Sequence, residues 1–378
     1  MAKIKYSLIL IALLFCSLVF ADTPQNLRTK LKDYVDHWRL ANSIPAMAVT
    51  LSQPQTGTIT VVSGAKEEGG NKLLAETNSF QIGSITKTFI TAAILQLEAQ
   101  GKLSIASKIG TWFPQYPHWQ NITIQQLLNM SSGIFQYEND PQFMEISKTK
   151  PAKSWDPMDL IALSYQHPLY FQPGQGWHYA NVNYLLAGKI IEQATHQPLT
   201  VVIQGLIQSQ KLQHTFYVPT IIPAQRLQQV AHGYHDNEDI TFHDMSAFGA
   251  AGAMFSTSQD IATWVKALFA EQVFPRKQLD EFMTTTPFTA PPKPQGSRYG
   301  LGVYYLHSQQ YGDIWWYSGV TRGYISLFIY LPQSKTIVTS TIDRIHGDNY
   351  WPLMPDRPFV TGLLRVINKS PTLCRVQK

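Results

Sequence analysis

The chain has 378 residues, of which 44% are hydrophobic, 15% charged and 12% aromatic, with a formal net charge of +5. That balance excludes a disordered polyelectrolyte and supplies apolar side chains for one large core or two modest ones. So mild a charge also argues against nucleic acid as a partner, and two cysteines are too few for a disulfide framework.

The first 21 residues read as a secretory signal peptide. Lys3 and Lys5 make a basic start, Ser7 to Phe20 is a mostly apolar run of 14 residues, and Val19-Phe20-Ala21 offers what a signal peptidase reads. The run falls short of the ~20 apolar residues that span a bilayer, so cleavage after Ala21 is expected rather than a retained transmembrane anchor. Bulky Phe15 speaks against lipid attachment at Cys16. Residues 22–378 then carry 28 basic against 25 acidic residues, net +3, and one cysteine, Cys374, so no intramolecular disulfide is available. The expected location is periplasmic or secreted.

Asn26 to Leu40 has the spacing of a helix, with Leu27, Leu31, Tyr34, Val35 and Trp38 on one face. Ala46 to Ser52 and Thr58 to Ser63 read as strands around a Pro-Gly turn. Ile85 to Gln100 is the strongest helical pattern, stopped by Gly101. Residues 105–270 are mostly helices and long loops. Strand patterns return at Tyr299 to Leu306, Ile314 to Ser318, Tyr324 to Tyr330 and Thr336 to Ile342, and Pro358 to Val366 closes as a helix. Two early strands make no stable sheet alone. They are expected to join the late strands in one antiparallel sheet, an α+β arrangement. Terminal helices cover one face, the helical middle forms a lobe on the other, and a cleft lies between. One catalytic domain over 22–378 follows, its sheet part at 22–104 and 271–378 and its lobe at 105–270. Gly319 and Gly323 mark a strand end where backbone approaches something closely.

Ser-x-x-Lys occurs three times. Ser63 to Lys66 ends a strand and enters a Glu-Glu-Gly-Gly turn, and Ser147 to Lys150 reads as a solvated loop. Only Ser84-Ile85-Thr86-Lys87 opens an apolar helix. There the three-residue spacing sets both side chains on one face, and the helix dipole favours a developing anion at Ser84. Burial of Lys87 among apolar neighbours would favour its neutral amine, a usable base. Taken alone, the motif reads more readily as a capping serine and an ordinary surface lysine.

The stretch Phe80-Gln81-Ile82-Gly83-Ser84-Ile85-Thr86-Lys87-Thr88-Phe89 resembles the nucleophile motif of the serine beta-lactamase-related family, which includes class C beta-lactamases, D-alanyl-D-alanine carboxypeptidases and esterases. Leu127 to Ile134, Pro173 to Asn181 with its Tyr179-Ala180-Asn181, Gly249 to Trp264 and Tyr299 to Val303 resemble further family segments in the same order. The Gly249 to Trp264 segment reads as structural. The resemblance implies Ser84 as nucleophile, Lys87 and Tyr179 as proton-handling partners, and Asn181 as a group that orients Lys87 and a substrate amide. Tyr179, near a lysine ammonium, is expected to lean towards phenolate. The third family motif, Lys-Thr-Gly or His-x-Gly, aligns with Tyr317-Ser318-Gly319, so its usual cation is missing. Tyr317, Ser318 and Gly319 are the expected substrate-binding triplet, Gly319 leaving room for substrate along the strand. Arg322 is an alternative source of positive charge or a surface arginine. The backbone N–H groups of Ser84 and Val320 are implied as the oxyanion hole.

His232, His235, Asp236, Glu238, Asp239 and His243 cluster in one polar stretch, but the spacing matches no strong zinc signature and reads as a solvated loop. No metal and no cofactor are expected. Trp315-Trp316 reads as core, or as an apolar acyl pocket. The reaction expected is acyl transfer on a small-molecule or peptide substrate: D-alanyl-D-alanine carboxypeptidase-like, with esterase or beta-lactamase as the alternative and an idle binding protein as the third.

Overall fold

The computed structural model describes residues 23–150, 152–288, 294–347 and 353–368. The expected signal peptide over 1–21 and Cys374 lie outside the described residues.

Helix α1, Pro24–Ala41, begins where Thr23 caps it by accepting from the Asn26 N–H at 3.2 Å, with Pro24 pre-set in the first turn. Its buried Leu27, Leu31 and Val35 recur every four residues and lie on the sheet. The sheet comprises β1 (Ala46–Gln53), β2 (Gly57–Gly64), β3 (Arg298–Tyr299), β4 (Tyr304–Ser308), β5 (Gly312–Val320), β6 (Ile325–Leu331) and β7 (Thr336–Ile342). It is antiparallel throughout, in the order β2-β1-β7-β6-β5-β4-β3. The two early strands therefore join the late ones through the β1–β7 pair, in which Val49 faces Ser340.

The pleat sorts the side chains. On β1, Met47, Val49 and Leu51 belong to the same core as α1, whereas Thr50 bonds Thr60 at 3.0 Å on the opposite face. Helix α5, Pro358–Asn368, packs on α1, where the Tyr34 hydroxyl donates to the Phe359 carbonyl at 2.8 Å. The other face is covered by α4, Ser258–Phe269, whose Ser258 hydroxyl meets Thr339 Oγ1 at 2.7 Å. Helix α2, Thr86–Ala99, lies beyond α4. Phe89 stacks on Trp264 at 3.9 Å, and the Trp264 indole donates to Thr88 at 2.8 Å. Because α2 is enclosed on nearly every side, its apolar residues wrap around it rather than forming one stripe. Helix α3, Val182–Thr195, packs against α2.

Three sequence expectations differ locally. The strand over 299–306 is two short strands, because Gly302 takes φ +81° and a side chain there would press within 2.8 Å of the Thr91 and Tyr184 oxygens. Ser147 lies in a helix, Pro141–Thr149, capped by Asp140, not in a loop. The stretch from His235 to Asp239 forms part of a small three-stranded sheet with Arg344–Ile345. Among the described residues, no helix is long and apolar enough to cross a membrane.

Candidate active site

Ser84 sits on a single 3-10 turn, Gly83–Ile85, that runs directly into α2. The turn is pressed against the end of β5. Gly83 has φ +47°, and a Cβ there would lie 2.6 Å from the Val320 nitrogen. A Cβ on Gly319 would lie 1.8 Å from the Ile82 carbonyl oxygen. The close backbone approach read at Gly319 is thus present, but its partner is the nucleophile turn. The space expected for substrate at that position is filled by Ile82.

Lys87 is fully buried. Its Nζ lies 2.9 Å from Ser84 Oγ, 2.8 Å from Asn181 Oδ1 and 2.7 Å from the Ala251 carbonyl. The last two partners can only accept. A lysine ammonium satisfies all three contacts by donation. A neutral amine satisfies the two acceptors with its two N–H bonds and turns its lone pair to Ser84. Both protonation states are therefore accommodated without rearrangement, which suits a group that takes and returns a proton. Asn181 immediately precedes α3, and Ala251 ends the turn Gly249–Ala251, so three elements converge on one nitrogen.

On the other side of Ser84, the Tyr179 hydroxyl donates to Oγ at 2.7 Å and meets the Tyr317 hydroxyl at 3.2 Å, and Tyr317 meets Tyr299 at 2.7 Å. Burial pushes the Tyr179 phenol well up, outweighing its hydrogen bonds to Ser84 and Tyr317. Desolvation thus works against the bias towards phenolate expected from the nearby lysine, and the Tyr179 hydroxyl donates its hydrogen bond to Ser84. Tyr317 is completely buried and likewise pushed up by burial. Its hydroxyl is engaged by two other phenols, which makes it a support for Tyr179 rather than an exposed substrate ligand. Ser318 is turned away, donating to the Ser326 carbonyl at 3.1 Å. Trp315 and Trp316 are core residues, buried to 4% and 0% exposure.

A cavity of about 580 Å³ lies at the end of β5, lined by Glu138, His235, His243, Val320, Arg322 and their neighbours. Val320 and Arg322 thus both face it. The histidine-rich stretch that reads as a solvated loop is one wall. Burial and the nearby Arg322 hold His243 below the usual imidazole range. A second cavity of about 500 Å³ lies beside Leu185, Gly188 and Leu199. Neither lining includes Ser84, Lys87, Tyr179 or Asn181; the first cavity reaches their neighbourhood through Val320, at the β5 end on which the Ser84 turn is pressed, and through Glu138, which bonds Asn181.

Sequence reasoning missed Glu138, Gln136, Ala251 and Tyr299. Asn181 Nδ2 donates to Glu138 Oε1 at 3.1 Å, the Gln136 amide donates to the other carboxylate oxygen, and Gln136 Oε1 accepts from the Asn181 N–H at 2.8 Å. An acid in the apolar stretch Ile134-Phe135-Gln136-Tyr137-Glu138 was the available signal, since a carboxylate in such company needs partners. The Ala251 contact corrects the purely structural reading of the Gly249 turn.

The family model described as Beta-lactamase matches residues 27–352. The chain belongs to the beta-lactamase family. Members of this family are serine hydrolases, and their antiparallel sheet with packed helices is the fold seen here. Penicillin-binding protein 4* of Bacillus subtilis is 25% identical over 279 residues, covering 70% of this chain and 60% of that protein. A putative D-alanyl-D-alanine carboxypeptidase of Escherichia coli is 28% identical over 255 residues, covering 59% of this chain and 58% of that one. The chain thus spans about three fifths of the length of these curated relatives. The crystal structure of a D-stereospecific amidohydrolase from Streptomyces sp. superposes with a TM-score of 0.74 at 25% identity, covering 84% of this chain and 94% of that chain.

Proposed function

We propose that this beta-lactamase-family protein is an exported serine hydrolase that forms an acyl-enzyme on Ser84 and cleaves a peptide amide in a D-alanyl-D-alanine carboxypeptidase-like reaction. The observation that carries the reading is the Lys87 nitrogen, 2.9 Å from Ser84 Oγ with two acceptor-only partners behind it. In this mechanism neutral Lys87 takes the Ser84 proton as Oγ bonds the carbonyl carbon. The Ser84 and Val320 backbone N–H groups hold the oxyanion. Collapse breaks the C–N bond, Tyr179 gives its phenol proton to the departing nitrogen, and the Lys87 ammonium restores the phenol. Water then attacks the acyl carbon as Lys87 again takes the proton; collapse breaks the bond to Ser84 Oγ, Lys87 returns its proton to that oxygen, and the acid product leaves. Arg322, exposed on the cavity wall, is the cation for a substrate carboxylate. The names of the carboxypeptidase and amidohydrolase relatives support amide cleavage. The basic and apolar start at residues 1–21 supports export.

One observation favours an esterase as second reading: the position that usually carries a cation in the third motif holds buried, uncharged Tyr317. The contact set of Ser84, Lys87, Tyr179 and Asn181 argues against an idle relic. Intact mass after incubation with a penicillin, beside Ser84→Ala, tests the proposal. An adduct on the wild type alone upholds an acylatable Ser84. Silence with penicillin, together with turnover of short p-nitrophenyl esters that Ser84→Ala lacks, moves the reading to an esterase. Silence with both removes it.

A further inference from the structure

Glu138 is a charged residue of the cavity that the mechanism leaves unused. It is two hydrogen bonds from Lys87, by way of Asn181. Burial pushes its carboxyl up, partly offset by Asn181, Lys87 and Gln136. Its two oxygens each receive one amide donor, from Asn181 and Gln136, whereas a carboxylate accepts about four hydrogen bonds. No ion pair joins it to a described residue, although burial makes a lone carboxylate costly to hold there. A neutral amide at this position would bond Asn181 and Gln136 equally well, so support of Asn181 does not by itself call for an acid. The carboxylate, with spare lone pairs facing a cavity, fits a cation brought by the ligand.

We propose that Glu138 receives the free α-ammonium group of the substrate, so that the cavity takes an amino-acid amide or short peptide with an unblocked amino terminus. This deepens the acyl-enzyme reading and rests on it for turnover, though not for binding. The ammonium sits against Glu138 while the scissile carbonyl points to Ser84. Arg322 is the cavity's cation for the carboxylate of a dipeptide, and His235, His243 and Glu238 complete the charged and titratable groups of its walls. Lys87, held by Ser84, Asn181 and Ala251, is not displaced. Selection follows from chemistry: an N-acylated substrate lacks the positive charge and leaves the half-buried Glu138 carboxylate with only its two amide donors and no cation.

The test compares D-alanine p-nitroanilide with N-acetyl-D-alanine p-nitroanilide. The wild type is expected to favour the free amine by about 100-fold in kcat/KM, the scale on which a polar site rejects an analogue lacking its partner. That preference should fade as pH rises through the ordinary α-amino range near ~8, because the neutral amine offers no charge. In Glu138→Gln the ratio between the substrates should collapse to within about threefold, whatever happens to the overall rate. Equal turnover of both substrates by the wild type overturns the inference, as does a variant that lowers both in proportion. Calorimetry of D-alanyl-D-alanine and its N-acetyl form on Ser84→Ala separates the two readings. An ammonium preference there upholds the Glu138 site even where the acyl-enzyme proposal has failed, and its absence there overturns the site.

Discussion

Two copies of Ser-x-x-Lys in this chain have opposite fates. Ser84 on the 3-10 turn and Lys87 in the first turn of α2 lie three residues apart, and their side chains meet at 2.9 Å. Ser63 lies at the end of β2, where an extended chain sends residues three apart to opposite faces. Its hydroxyl is held elsewhere, accepting from Arg39 Nε at 2.6 Å and donating to Asp36 Oδ1 at 2.5 Å. Lys66 stays partly exposed beyond the strand. The four-residue motif is therefore not a nucleophile by itself. In the proposed mechanism it becomes one where a helical turn aligns the pair and where acceptors such as Asn181 and Ala251 are already in position around the amine.

The comparison breaks most sharply at the two lysines. Lys87→Met should lower kcat/KM by about 10³-fold or more, as removal of a member of a nucleophile–base unit does, while Lys66→Met should leave steady-state kinetics within twofold. Comparable losses from both would remove the distinction. Tyr179→Phe comes next, with an expected loss of roughly 10²- to 10³-fold, mostly in kcat, because it deletes the proton given to the leaving group. Tyr317→Phe should follow at about tenfold. It removes the hydrogen bonds that support Tyr179 and leaves the Tyr299 hydroxyl short of a partner, a change worth ~1–3 kcal/mol. A kcat pH profile that shifts in Tyr317→Phe while KM holds would identify positioning of Tyr179, and an unchanged profile would deny it.

The smallest effect belongs to Ser63. Burial raises Asp36, but hydrogen bonds from Lys32 and Ser63 and the charges of Lys32 and Arg39 outweigh it, so its carboxyl is held below the usual range. A carboxyl lowered by folding contributes stability above its unfolded value, and that contribution is lost as pH falls through the folded value. Ser63→Ala should therefore lower Tm slightly at pH 7, by an amount equivalent to under about 1 kcal/mol because the group is largely solvated. The difference should shrink in acid, below the ordinary carboxylate range. A deficit that instead grows in acid would contradict the Asp36 assignment.

The parts that read directly from sequence were those set by local pattern. The face of α1, the Ser84–Lys87 helix and the span of β7 follow from periodicity and from Gly101 at the end of α2, whereas α1 starts two residues before the expected Asn26, where Thr23 caps it. The break after Tyr299 did not, because Gly302 turns there only to clear Thr91 and Tyr184, two residues far away in sequence. Ala251 and Glu138 illustrate the same limit within the site. A backbone carbonyl has no residue signature, and an acid reveals its surroundings only once Asn181 and Gln136 have been folded onto it. The strand positions of 234–239 are two residues each, too short for alternation to register. The polar hairpin was consequently read by its composition rather than by the cavity it borders.

The paired glycines at 83 and 319 have a consequence for how such a site changes over evolutionary time. The distance between the nucleophile turn and the last residues of β5 is set by main chain lying on main chain, with no side chain between them. Substitutions along the cavity wall, at 235, 243 or 322, leave that spacing alone. On the proposed mechanism this separates a fixed frame around Ser84 from a wall whose side chains can be exchanged without moving that frame. The two glycines are where that freedom ends: any side chain at either position pushes the frame itself apart.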